Sequence, residues 1–443
     1  MGYNNVDKTM DSPWTNSERE RSLAIWLWLT VLLGFWITPA FGKLLLDVDN
    51  PNLGKMPIMV MDFSSNQPGP LNGAELASIV KNDLAMCGLF DVIQTPQTAP
   101  VNPNGAPDLN AIARAGVQGL VMGSFYVNGK QLTVECKLYD IGLQRLDLGK
   151  RYTGSLSDYR YIIHMFDDRL LEKITNAQGC FTTKIAFMDD AKTREIFVMD
   201  YDGANLRQLT NTKTINLSPE WAPDGKGLIF TSYIHRNPDL YYVSVDGQRV
   251  VPVSSRKGLN ASGRFSPDGS MIALSLSVKA IPQIFIINTQ GYIIKQLTNG
   301  LGNDISPSWS PDGANVAYVS DQAGSPQIYV IPVSGGEPKR ITLSTSYNTN
   351  PDWSPKGDML VFTAKIDGRF QICIIRPDGS DFRVLTNKGS NQDPSWSPDG
   401  RMIAFASNRD GIKRIFVMDS KGTVQTPVSQ ISGRSPAWSP RLK

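Results

Sequence analysis

The chain is short of the side chains that usually do chemistry. Histidine occurs twice in 443 residues, at His164 and His235, and cysteine four times. Cys87, Cys136, Cys180 and Cys373 are widely spaced and form no CxxC or zinc-ligand pattern. No GxSxG elbow, P-loop, HExxH helix or dinucleotide-binding glycine fingerprint is present. An excess of one charge is missing as well. The 44 Lys and Arg face 41 Asp and Glu, a net charge of +3, and no basic block stands out. Nucleic acid is therefore not an expected partner.

Long apolar runs are absent after the first 42 residues, which stand apart. A polar leader ending "SERERS" meets "LAIWLWLTVLLGFWI" and then "TPAFG". That run of ~15 apolar residues suits a secretory core and is short for a bilayer span. Residues 1–42 are read as a signal sequence, with Ala40 and Gly42 placed like a cleavage site, or as an uncleaved membrane anchor. Either reading sends the remainder across a membrane, and a periplasmic location is expected.

What the chain does have is Gly, Pro, aromatic and β-branched residues in quantity, arranged in two grammars. Over 56–180 strands and helices alternate, predicting a small α/β domain. "GAELASIVKNDLAMCG" is a helix with Leu76, Ile79, Val80, Leu84 and Cys87 on one face. "YRYIIHMFDDRLLEKITNAQG" is another, with Tyr159, Ile162, Ile163, Phe166, Leu170 and Ile174 in a stripe. This places His164, Asp167 and Asp168 on a solvated helix surface. Cys87 and Cys373 are expected to be buried free thiols.

From 185 to 443 one phrase recurs. The first position of W-S-P-D-G falls at Trp221, Phe265, Trp309, Trp353, Trp396 and Trp438, at spacings of 44, 44, 44, 43 and 42. That period, with short strands and turn signals inside each unit, is the signature of four-stranded propeller blades. The unit starting at Ile185 lacks a Trp strand, whereas "SPAWSPRLK" at the C-terminus has one and nothing after it. The two fragments are complementary. The expected fold is thus multidomain: a small α/β N-terminal domain, then a six-bladed all-β propeller closed by its C-terminal strand.

The repeated residues read as scaffold. Asp224, Asp268, Asp312 and Asp399 could form a metal ring, but Lys356 replaces the Asp in the fourth unit, which a turn tolerates and a metal site does not. Trp gives way to Phe265 in the second unit, so packing is favoured over a binding cage. No metal, cofactor or catalytic residue is assigned. The less uniform loops before each Trp strand, "KGLNAS", "GNDIS", "YNTN", "SNQD" and "ISGRS", should share one face and are the candidates for binding.

The repeat "SPSWSPDGANVAYVSDQAGSPQIYV" resembles TolB-type propeller repeats. The order of leader, α/β domain and six blades ending in "PAWSP" is also that of the TolB family of the Tol–Pal system. The resemblance implies a non-enzymatic periplasmic adaptor, monomeric and without a small-molecule substrate, serving outer-membrane integrity, cell division and protein transport. It implies two partners, a Pal-like peptidoglycan-associated lipoprotein on the propeller face and a TolA-like inner-membrane protein on the mature N-terminus. Carried over by position, the Pal-type face comprises Asn260, Asn303, Asp304, Asn348, Asn350, Asn391 and Asp393. The TolA-type strip, within residues 43–55, comprises Lys43, Leu44, Leu45, Leu46, Asp47 and Val48. The alternative reading from the residues alone is a propeller-based hydrolase or a metal- or glycan-binding periplasmic protein.

Overall fold

The change of grammar after Lys184 is a change of architecture in the computed structural model, which describes residue 46 and residues 54–65, 69–94, 106–277 and 280–442. Upstream lies a five-stranded sheet. Its strands are β1 (Met56–Val60), β2 (Phe90–Ile93), β3 (Gly119–Asn128), β4 (Gln131–Asp140) and β5 (Arg145–Ser155), in the order β2-β1-β3-β4-β5. β1 pairs in parallel with β2 and β3, and the rest is an antiparallel meander.

Among the described residues three α-helices accompany the sheet: α1 (Gly73–Met86), α2 (Leu109–Arg114) and α3 (Tyr159–Thr175). Asn72 caps α1 by accepting the Ala74 N–H at 2.9 Å, which satisfies one of the unpaired donors of the first turn. α3 ends where Asn176 turns left-handed at φ 56°. The apolar stripes lie as their spacing predicts, with Leu76, Ile79, Val80 and Leu84 of α1 buried against Ile163, Phe166 and Leu170 of α3.

The other side of α3 departs from expectation. His164, Asp167 and Asp168 are buried rather than solvated, because α1 and the propeller cover them. A stripe calculation sees only the apolar face, and here polar residues are buried in a second contact. The four cysteines are buried and free.

Downstream, six four-stranded antiparallel sheets form the blades. We number them by inner strand: Asn216–Trp221, Asn260–Phe265, Asp304–Trp309, Asn348–Trp353, Asn391–Trp396 and Gly433–Trp438. The sixth blade joins the two ends of the repeat region. Its inner strand pairs with Lys184–Asp189, placing Trp438 opposite Ile185 and Gly433 opposite Asp189. The closing bonds are reciprocal: Lys184 N–H donates to Ser439 Oγ at 2.9 Å, and Ser439 N–H to the Lys184 carbonyl at 2.8 Å.

The repeated carboxylates serve turns. Asp268 Oδ1 accepts from Ser266 Oγ at 2.5 Å and from Ser270 N–H at 3.1 Å, and these bonds, with that of Ser270 Oγ, lower its pKa to about 2. Gly225, Gly269, Gly313, Gly357 and Gly400 close these turns at φ between 67° and 79°. In the fourth blade, where Lys356 stands for the Asp, Ser354 Oγ donates instead to Asp358 at 2.9 Å. The same turn is held by a displaced carboxylate.

The α/β domain packs on the end of the ring that carries these turns. Its core is continuous with the fifth and sixth blades, since Phe166 and Leu170 share one cluster with Phe187, Tyr201, Met402 and Trp438. Arg441 ties the same end, donating to the Gly179 and Gln178 carbonyls at 2.9 and 2.8 Å. Of the N-terminal strip only Leu46 falls within the described residues; its N–H donates to the Ile174 carbonyl at 2.8 Å and its side chain packs on the core. Lys43, Leu44, Leu45, Asp47 and Val48 lie outside the described residues, as does the leader 1–42. Among the described residues no helix is long and apolar enough to cross a membrane.

Candidate binding face at the channel mouth

Each inner strand runs from the free end of the ring toward the Trp, and two residues into it the pairing slips. A related shift occurs in the first blade. The residue at the slip is left-handed in every blade: Ser218, Ser262, Ser306, Asn350, Asp393 and Ser435 have φ of 50°, 53°, 54°, 52°, 57° and 46°. Pro follows in five blades and Gly263 in the second. Small polar side chains tolerate this conformation better than branched or bulky ones. All six line one cavity of about 40 Å³ at the ring axis. A single water needs ~10–15 Å³, so the mouth admits water or small polar groups.

One step deeper the equivalent residues are Glu220, Arg264, Ser308, Asp352, Ser395 and Ala437. Three of them stitch neighbouring blades by accepting the N–H of the next blade's Trp. Ser308 accepts from Trp353 at 3.0 Å, Asp352 from Trp396 at 2.8 Å and Ser395 from Trp438 at 3.0 Å. Arg264 pairs with Glu220 across adjacent blades. Burial outweighs that attraction at Glu220 and pushes its pKa up to about 7. Burial likewise raises Asp352 and, at the mouth, Asp393. Asp393 accepts from Ser435 Oγ at 3.1 Å, joining the fifth and sixth blades within the ring of six.

The seven residues assigned to the Pal-type face divide sharply. Asn260, Asn348 and Asn391 open their inner strands with 0% exposure, so their side chains cannot meet a partner. They are latches. Asn348 Nδ2 donates to Gln327 Oε1 at 2.9 Å, where Thr342 Oγ also donates at 2.7 Å. Asn391 Nδ2 repeats this with Gln371 at 2.8 Å, joined by Thr386 Oγ at 2.7 Å. Asn260 donates to the Arg256 carbonyl at 2.6 Å. Asp304 holds the same register and is buried beside Thr298 and Ser320. Only Asn303, Asn350 and Asp393 of the seven reach solvent or the channel. Asn303 is exposed and donates to both oxygens of Asp321, each at 2.7 Å.

The sequence reading passed over the apolar residues of this face. In an antiparallel blade, the loop before the inner strand and the loop between the second and third strands emerge at the same end. On those loops Leu301 is 94% exposed, Leu343 75% and Ile412 53%, and Ile215, Ile281 and Tyr347 are exposed beside them. The end of the ring that holds the polar mouth thus also carries exposed apolar side chains on its loops.

A rigid ring of this kind, closed by its own C-terminal strand and carrying a small α/β domain on the opposite end, is a propeller scaffold with one open presenting face. The chain belongs to the TolB family: the TolB beta propeller domain matches residues 171–442 and the TolB amino-terminal domain residues 44–146. It is 40% identical over 179 residues to the Tol-Pal system protein TolB of Geobacter sulfurreducens, a stretch covering 38% of this chain and 41% of that one. Against the protein of the same description from Syntrophus aciditrophicus it is 35% identical over 227 residues, covering 47% and 49%. The chain thus spans less than half the length of these curated relatives. The crystal structure of TolB from Acinetobacter baumannii superposes with a TM-score of 0.78 at 26% identity, over 88% of this chain and 97% of that one.

Proposed function

We propose that the protein is a non-enzymatic periplasmic adaptor of a Tol–Pal system. It docks a folded Pal-like lipoprotein on the open channel face and engages a TolA-like protein through the strip 43–48. The observation that carries the first half is the setting of exposed Leu301, Leu343 and Ile412 around the polar mouth lined by Asn350 and Asp393. Such a face meets a partner with little ordering cost, because the six inner strands already fix it. Anchors of this type concentrate binding energy in a few residues. For the second half, the support is the family match beginning at residue 44 and the docking of Leu46 beside α3.

The test is affinity for the periplasmic domain of the cognate Pal. Leu301→Asp combined with Leu343→Asp is expected to weaken binding at least ~10-fold with an unchanged circular dichroism spectrum. Affinity that survives both, together with Asp393→Ala, assigns the contact to another surface.

A further inference from the structure

The contact between the α/β domain and the sixth blade holds a polar cluster that the adaptor role does not use. Asp83 comes from α1, Arg160, His164 and Asp167 from α3, and Tyr201 and Asp202 from the turn after the blade strand Ile196–Asp200. Asp83 is at the centre, bonded to His164 Nδ1 at 2.6 Å and accepting the Tyr201 hydroxyl at 2.5 Å. Arg160 pairs with Asp202, whose Oδ2 lies 3.7 Å from His164 Nε2.

Acidic groups outnumber basic ones here. Three carboxylates, Asp83, Asp167 and Asp202, face one guanidinium and one imidazole; Asp83, His164 and Asp167 are buried, whereas the Arg160 side chain is partly exposed. A buried carboxyl group without a partner is costly. The neighbouring Asp168 does not add to the demand, being held by Phe181 N–H at 2.7 Å and by Thr182. Asp167 is different. It is 0% exposed, and neither of its oxygens has a well-formed hydrogen bond, although the Asp83 carboxylate stands close enough to help raise its pKa. His164 Nε2 is also without a hydrogen bond.

We infer that Asp83, His164 and Asp167 form a binding site for a divalent transition-metal ion, which fastens the α/β domain to the propeller. One ligand atom from each lies within 4.8 Å of the others, close enough for a single ion to draw them into one coordination sphere. Two carboxylates and an imidazole suit zinc among the common ions. The ion takes the place of the proton between His164 and Asp83 and gives the unpartnered Asp167 oxygens a partner. Asp83 then links it to Tyr201, and so to the blade. Among the described residues this is the one grouping of its kind.

The experiment uses the full-length protein, stripped with a chelator, incubated with zinc chloride alone and desalted before elemental analysis and thermal melting. About one equivalent retained per chain is expected, with a melting temperature that rises with zinc concentration. Asp167→Asn keeps the shape of the side chain and is expected to abolish both effects while preserving the fold. His235→Gln, which changes the exposed second histidine, is expected to leave both intact. Cobalt(II) in place of zinc is expected to give a visible spectrum without thiolate charge transfer, separating this site from the four cysteines. No retained ion in the wild-type protein, or retention undiminished by Asp167→Asn, overturns the assignment.

Discussion

Trp438 donates its indole N–H to Thr183 Oγ at 2.7 Å, joining residues 255 apart in sequence. This bond lies where the last strand of the chain meets the segment leading into the first strand of the repeat region. It belongs to the seam of the ring, and the seam is where an all-β ring is most exposed to opening.

Trp438→Ala removes this bond and a buried indole that packs against Tyr201. A loss of ~3–5 kcal/mol is expected from equilibrium urea unfolding. Deleting 434–443 leaves the strand at 184–189 without its inner-strand partner, and a much lower melting temperature is expected.

The latch asparagines give the opposite profile to docking residues. Asn391→Ala removes the bonds to Gln371 Oε1 and the Lys388 carbonyl and leaves Arg409 without the acceptor it meets at 3.0 Å. The expected cost is ~1–3 kcal/mol in unfolding, with unchanged affinity for the proposed Pal-like partner in the protein that remains folded. Calorimetry and a binding titration on one sample separate the two effects.

Glu220 makes stability depend on pH. Its folded-state pKa is about 7 against an ordinary 4.5, so the folded chain holds the extra proton between those values. The stabilisation is complete below about 4.5 and is lost as pH rises through about 7. Glu220→Gln cannot titrate. Its stability relative to wild type is expected to increase from pH 5 to pH 8 by at most ~3 kcal/mol, read from denaturation midpoints at each pH.

The six left-handed positions predict a side-chain preference. Ser306 sits at φ 54°, where a β-branched residue is strained. Ser306→Val is expected to cost ~1–3 kcal/mol, whereas Ser306→Gly is expected to stay within ~0.5 kcal/mol of wild type because relief of strain offsets the added chain freedom. Thermal melts of the pair provide the comparison.

Much of the architecture was legible because repetition is a strong signal. A Trp every 42–44 residues and complementary fragments at the two ends specify the ring and its closure. The site was less legible, for a reason visible in the same spacing. Asn216, Asn260, Asp304, Asn348 and Asn391 recur at 44, 44, 44 and 43, which is as regular as the Trp positions. The rule that made the Pro-Asp-Gly turns scaffold applied equally to these residues, yet polarity next to a loop suggested exposure. Leu301 and Leu343, which follow no repeat, carried the contrary signal. His164 is buried by a second helix and by a different domain, and no local periodicity encodes contacts made by Asp83, Tyr201 and Asp202.

The backbone at the channel mouth also sets terms for how such a face diversifies. Ser, Asn and Asp are the residues found at its six left-handed positions. With glycine added, that is nearly the whole alphabet the conformation accepts at low cost. Substitution there can change the number of carboxylates but can hardly introduce bulk, an apolar surface or a long cation. Recognition at the axis is therefore inherited as a narrow choice among small polar groups, and the wider variation that tells one partner from another falls to the surrounding loops.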